Sequence, residues 1–216
     1  MQLRATPSRK KHARIRPPGE IWQACRSFMQ QLASESSSPS ILRASRYRDA
    51  LALGLLALRP LRRRNMSSLS LGQHLNIKDR VWECSIPGQE TKDGSPMNFA
   101  LPTDENFLTC FHRYLQTERQ ILLKERQLDL GEIIQAQGAL WISTRGAKMS
   151  GHALYYSVTR ISEELLGSPI NPHLLRDCVA SAISSEAPEN ILASSRILGH
   201  SNLDTTLHHY EQSSRY

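Results

Sequence analysis

Apolar residues recur at helical spacing early in the chain. Ile21, Cys25, Phe28, Met29 and Leu32 share one face, and the Ser-rich stretch Ser34–Ser40, containing Pro39, closes that segment. From Ile41 to Leu58 the pattern is apolar on one side at first and nearly all round from Leu51, which predicts a helix entering the core. Pro60 ends it, because the residue before a proline is pushed out of the helical region, and a short helix over Leu61–Ser68 restarts behind the turn. The texture then changes to short runs of strand character at Leu69–Leu75, Val81–Ile86 and Met97–Leu101, with Asp93-Gly94 as a two-residue hairpin signal between the last two. Helical patterns return over Asp104–Arg126, Gly151–Leu166, Pro172–Ser184, Pro188–Leu198 and Ser201–Gln212, with a short strand at Leu140–Ser143. Pro172 and Pro188 suit first helical turns, and Gly199 suits a helix stop. The expected fold is mainly α, of α+β type, with a small three-stranded antiparallel sheet.

Composition narrows this picture only a little. With 216 residues, 39% of them hydrophobic and 22% charged, the chain is an ordinary globular domain with room for a real core. The longest apolar stretch, Ala50–Leu58, is far short of the roughly 18 residues a membrane span requires, so no membrane partner is expected. The basic N-terminus lacks the apolar segment of a secretory signal, which predicts a cytoplasmic protein. Cys25, Cys84, Cys110 and Cys178 form no Cys-x-x-Cys pair and read as reduced, buried thiols.

The net charge of +7 matters for where it sits. Residues 1–18 carry six Lys/Arg and no acid, and residues 41–64 carry seven Arg against Asp49 alone. Residues 1–18 also lack apolar periodicity and end in Pro17-Pro18, so they read as a basic flexible arm or linker ahead of a domain over residues 19–216. On charge alone, a polyanion partner and a solvated arginine-rich surface fit equally well.

Candidate chemistry tips the balance. Pro172-His173-Leu174-Leu175-Arg176 places an imidazole and a guanidinium three residues apart on the first turn of a helix, a pair able to grip a phosphate but ordinary in isolation. Leu198-Gly199-His200 sets a second His at a helix-to-helix turn, and Thr205, Thr206 and Tyr210 follow on the next helix. His200, His208 and His209 have no acidic or cysteine partner spaced to complete a metal site, so no metal is assigned. Trp82 and Trp141 read as core residues, and Thr205 and Thr206 as supports of the last helix. In order, an arginine in Leu61-Arg62-Arg63-Arg64-Asn65-Met66, a lysine in Glu90-Thr91-Lys92-Asp93-Gly94, His-x-x-Arg, Leu-Gly-His and Thr-Thr-x-x-x-Tyr resemble the tyrosine recombinases, also called phage integrases, over about residues 41–212.

The resemblance implies a catalytic domain whose site residues are Arg62, Lys92, His173, Arg176, His200 and Tyr210, facing one basic cleft. Asn65, Met66 and Leu69 match the family pattern after the first arginine and select Arg62, with Arg59 the runner-up. It also implies double-stranded DNA as partner, self-association on DNA into a tetrameric synapse, and no cofactor. Arg62 and Arg176 would clamp the non-bridging oxygens of a phosphodiester, Tyr210 would attack with His173 as base, His200 would donate to a phosphate oxygen, and Lys92 would protonate the leaving 5′ oxygen. A 3′-phosphotyrosine ester stores the bond energy, so resealing needs no ATP, consistent with the lack of a phosphate-binding Gly-x-x-x-x-Gly-Lys loop. Departures from the family pattern are the roughly 40 residues before the central helix, too few for an upstream DNA-clamping domain, the six residues after Tyr210, and Asp177 where many relatives carry a histidine. Two neighbouring readings are a type IB topoisomerase-like enzyme, which shares the mechanism, and a non-catalytic DNA-binding remnant or regulator.

Overall fold

The structure is a computed structural model that describes residues 14–35, 39–124 and 130–186. Helix α1 (Pro18–Ser34) starts with Pro18 at its first position, where the missing N–H costs nothing, and buries Ile21, Cys25, Met29 and Leu32. Helix α2 (Ile41–Leu58) is capped by the Ser40 hydroxyl, which accepts from the Arg43 N–H at 3.2 Å. Its residues from Leu51 to Ala57 are all buried, as the loss of amphipathicity predicts, and α2 forms the centre of the fold. Arg59 leaves the helical region (φ −140°, ψ 93°) ahead of Pro60, and α3 (Arg63–Ser68) restarts with Arg62 at its N-cap position.

Strands β1 (Leu75–Lys78), β2 (Val81–Ile86) and β3 (Met97–Ala100) form one antiparallel sheet in the order β1-β2-β3. Two details depart from expectation. The run Leu69–Leu75 is not a strand: Gly72 adopts φ 77° and the Ser70 carbonyl accepts from the N–H groups of both His74 and Leu75, closing a turn from which β1 begins only at Leu75. The connection from β2 to β3 is not a two-residue hairpin but the ten residues 87–96, which open with a 3₁₀ turn at Gly88–Glu90. The tight two-residue turn lies instead between β1 and β2 at Asp79 and Arg80, both with positive φ (49° and 66°).

Helix α4 (Glu105–Arg113) passes through a π-helical turn (Tyr114–Glu118) into α5 (Arg119–Leu123). A helix that the sequence reading lacks, α6 (Leu130–Gly138), follows and is closed by the Arg119 guanidinium, which donates to the carbonyls of Ala136, Gln137 and Ala139. The expected strand at Leu140–Ser143 is reduced to isolated bridges, Ser70 to Ala139 and Ile142 to Lys148. Side chains take two of its carbonyls instead: Tyr114 Oη donates to Leu140 at 2.8 Å and Arg48 donates to Ile142. Asp49, buried in α2, receives Arg48 at 2.6 Å and Arg160 at 3.0 Å.

Helix α7 (Gly151–Leu166) is capped by Ser150 and stopped by Gly167 at φ 69°. Helix α8 (Pro172–Glu186) is capped by Asn171, whose Oδ1 accepts from the N–H groups of His173 and Leu174, both at 3.0 Å. The helices expected over Pro188–Leu198 and Ser201–Gln212 lie outside the described residues.

The core gathers α1, α5, α7 and α8 around α2. Phe107 stacks on Phe111 with centroids 5.7 Å apart, and Trp141 packs on Tyr114 and donates to the Met66 carbonyl at 2.9 Å. Trp141 is thus a core residue; Trp82 is half-buried, set edge-on against Phe111. All four cysteines are buried and free. Among the described residues no helix is long and apolar enough to cross a membrane. Of residues 1–18, those before Arg14 lie outside the described residues. Ile15 packs against the core, the Arg14 guanidinium donates to the Pro169 carbonyl, and the Arg16 N–H points to Cys178 Sγ at 3.5 Å.

Candidate active site

The site grows from the break between α2 and α3. Proline at position 60 forces the chain to turn, and that turn delivers Arg62 at the mouth of α3 with extended backbone (φ −63°, ψ 144°). Helix α8 approaches the same turn, and Arg176, one helical turn into it, donates through Nη1 to the Pro60 carbonyl at 2.6 Å. Burial first, and then the nearby positive charge of Arg62, push the Arg176 guanidinium down to about 10, with Asp177 pulling the other way. It therefore remains charged at neutral pH. Two half-buried arginines that feel each other across one turn form a concentrated positive site suited to a tetrahedral or pentavalent phosphate.

Arg59 occupies a different environment. It closes α2, donates to the Ala100 carbonyl at 3.2 Å and to its neighbour Leu58 at 3.0 Å, and lines a cavity of about 430 Å³ with Pro60, Leu61, Pro96, Met97, Asn98 and Phe99. Its guanidinium is spent on backbone carbonyls that tie α2 to β3. Arg62, not Arg59, is the arginine beside Arg176.

Lys92 sits exposed on the loop over residues 87–96. That loop reaches the same arginine: Asp93 Oδ2 lies 3.5 Å from Arg62 Nη1. Two residues before Lys92, the Glu90 carbonyl accepts from Asn65 Nδ2 at 3.0 Å, and the Glu90 carboxylate faces His74 Nε2 at 3.1 Å. The Ser70 N–H donates to His74 Nδ1, so the His74 proton is on Nε2 and points at Glu90. None of these supports was picked out from the sequence, where Asn65 served only to register Arg62, Asp93 only to mark a turn, and Glu90 and His74 had no part.

His173 is exposed on the first turn of α8, three residues before Arg176. The structure thus brings Arg62, Arg176 and the Lys92 loop together and sets His173 on the same helical turn as Arg176; His200 and Tyr210 lie outside the described residues. On the α7 side of α3, Arg63 lies over the Tyr155 ring at 6.0 Å, and Tyr155 and Tyr156 pack edge to face.

The chain resembles known proteins in sequence and in fold. Tyrosine recombinase XerC of Pseudomonas fluorescens is 27% identical over 160 residues, which is 74% of this chain and 47% of that protein. XerC of Pseudomonas entomophila is 33% identical over 69 residues, 32% of this chain and 23% of that protein. Among solved structures, the XerH site-specific recombinase bound to palindromic difH substrate in a post-cleavage complex matches with a TM-score of 0.62 at 16% identity, covering 91% of this chain and 49% of that one. The Tn1549 transposon integrase in complex with circular intermediate DNA matches with a TM-score of 0.51 at 18% identity, over 88% of this chain and 60% of that one. The chain spans about half the length of the first of these relatives. The phage integrase family model matches residues 27–215, nearly the whole chain, and the protein belongs to that family.

Proposed function

We propose that this chain carries the catalytic part of a tyrosine-type site-specific DNA recombinase, which breaks and rejoins double-stranded DNA through a covalent 3′-phosphotyrosine. The observation that carries this reading is the convergence of Arg62 and Arg176 on the Pro60 turn, where Arg176 donates to the Pro60 carbonyl at 2.6 Å and Arg62 follows two residues on at the start of α3. Two half-buried guanidinium groups meeting at one turn make a positive site, and a phosphodiester is an anion whose two non-bridging oxygens suit two planar guanidinium forks.

The reaction follows from the charges. Attack by the Tyr210 phenolic oxygen on phosphorus builds a pentavalent state of higher negative charge, which Arg62 and Arg176 neutralise with donors already in place. A tyrosine hydroxyl in water titrates near 10, so the nucleophile must lose its proton on attack; His173 accepts it, and His200 donates to a phosphate oxygen. The P–O5′ bond breaks and the leaving oxygen takes a proton from the Lys92 ammonium. Resealing is the reverse, with a 5′ hydroxyl as nucleophile and Tyr210 leaving. The reading includes action in the cytoplasm and assembly of four copies around two DNA segments.

The test is a duplex nicked just beyond a cleavable phosphate, so that the short fragment diffuses away and the covalent product cannot reseal. Adduct should accumulate on a denaturing gel, vanish with Tyr210→Phe, and fall by roughly 10²- to 10³-fold with Arg62→Ala, the usual loss for one preorganised donor to a transition-state oxygen. DNA binding without adduct, both here and in a longer chain with an upstream domain, would leave the non-catalytic DNA-binding reading in its place.

A further inference from the structure

The loop that bears Lys92 is fastened to α3 on both sides of that lysine. On the N-terminal side, Asn65 holds the Glu90 carbonyl at 3.0 Å, and Thr91, nearly buried, closes onto the Gly88 carbonyl through its hydroxyl at 2.9 Å. On the C-terminal side, the Asp93 carboxylate accepts from the Ser95 N–H at 3.3 Å through Oδ1 and turns Oδ2 toward Arg62. The two limbs of the loop touch: a Cβ on Gly88 would meet the Gly94 carbonyl oxygen at 2.2 Å, and Gly94 needs its positive φ of 76° to make the turn. Lys92 is therefore held between anchors at residues 90, 91 and 93, and the last of these grips the arginine proposed to hold the phosphate.

We propose that Asp93 is a positioning residue for Lys92, registering the lysine loop on Arg62 so that ammonium and guanidinium address the same phosphate. The proposal rests on the recombinase reading above. Its physical content is distance: a general acid must reach within about 3 Å of the leaving oxygen. A lysine on a loop that swings loses that reach while the arginine clamp stays intact. The contact uses Nη1, one end of a five-donor fork.

The experiment compares two nicked duplexes that differ in one atom. In one the leaving atom is the ordinary 5′ oxygen; in the other it is a bridging 5′ sulfur, which departs as a thiolate and needs no proton. Asp93→Asn should slow adduct formation on the oxygen substrate by about tenfold or more and come close to the wild-type rate on the sulfur substrate, as Lys92→Ala should. The double variant should be no slower than Lys92→Ala alone, because the two residues act as a unit. Asp93→Glu, which restores the charge, should recover part of the oxygen rate and serves as the second variant should Asp93→Asn melt early. Equal slowing on both substrates would overturn the proposal, placing Asp93 behind Arg62 or the fold as a whole. So would an unchanged rate, or a faster one that marks the carboxylate as a competitor of phosphate. If neither this chain nor a longer one with an upstream domain forms adduct on either substrate, the recombinase reading itself falls and takes this proposal with it.

Discussion

Arg176 hydrogen-bonds the carbonyl of Pro60, two residues ahead of Arg62, and so ties the first turn of α8 to the turn that opens α3. A backbone break required by one proline thereby becomes the joint at which two arginines meet. The contact satisfies a carbonyl that the helix stop would leave open, and it holds a charged group where water is scarce.

That placement costs stability. Burial and the Arg62 charge together depress the Arg176 guanidinium to about 10, so folding works against its charged form at every pH below that value. Arg176→Met keeps the length and removes the charge; it should raise the melting temperature while abolishing adduct formation. A lower melting temperature would mean that the Pro60 hydrogen bond outweighs the desolvated charge.

Asp93 shows the opposite sign. Burial alone would raise its carboxyl, but the Ser95 N–H and the Arg62 charge outweigh burial and hold it below the usual range. A depressed carboxyl stabilises the fold above its unfolded pKa of about 3.9, and that contribution is lost as pH falls through the folded value. The stability difference between wild type and Asp93→Asn should therefore be constant from neutral pH down to about 5 and shrink below about 4. A difference that persists undiminished at pH 2 would show that the Arg62 contact contributes nothing.

The helical framework was legible because α1, α2 and α7 each commit one continuous apolar pattern to the core. What was not legible depends on partners far away in sequence. The alternating residues Leu69, Leu71 and Leu75 read as a strand, yet the His74 ring takes the Ser70 N–H and folds the segment into a turn. In Leu140–Ser143 the Leu140 and Ile142 carbonyls go to Tyr114 and Arg48 rather than to a strand. Asp79 and Arg80 form the tight turn without the Gly or Asn that normally marks positive φ. Helix α6 is stopped by Arg119, a residue from another helix, which no local cap could signal. At the site, the roles proposed for Arg62, His173 and Arg176 came from the resemblance to the family's motifs, while the turn and the helix start that bring Arg62 and Arg176 together were marked locally by Pro60 and Pro172. The Asp93 to Arg62 contact joins residues 31 apart and has no local mark.

Helices α1 and α2 cross where Gly54 faces Trp22. A Cβ at position 54 would stand 2.8 Å from Trp22 Cε3 and 3.5 Å from Cys25 Cβ. Gly54→Ala gains about 1 kcal/mol of helix propensity but pushes on a rigid indole, and overpacking of this kind costs about 1–3 kcal/mol. The net effect should be destabilising, read as a lower midpoint in urea with an unchanged slope. The paired change Gly54→Ala with Trp22→Leu should recover most of the loss, whereas no recovery would place the strain elsewhere.

Part of the basic arm touches the domain. Residues 1–13 carry four Lys/Arg, while Ile15 packs on the core, the Arg14 guanidinium reaches the Pro169 carbonyl and the Arg16 N–H reaches Cys178 Sγ. If the four cations engage DNA phosphates, deleting residues 1–13 should flatten the log-log salt dependence of binding by up to about 3–4 units, since each neutralised phosphate contributes about 0.9. The contacts of Arg14, Ile15 and Arg16 all remain after this deletion, and the melting temperature should hold with them. Deleting residues 1–18 should flatten the slope further and also lower the melting temperature by several degrees. It exposes the surface under Ile15, worth about 1–3 kcal/mol, and removes the proline that starts α1. An unchanged slope after the first deletion would assign the cations to solvent. A melting temperature unchanged by the second would show that residues 14–17 add nothing to the fold they touch.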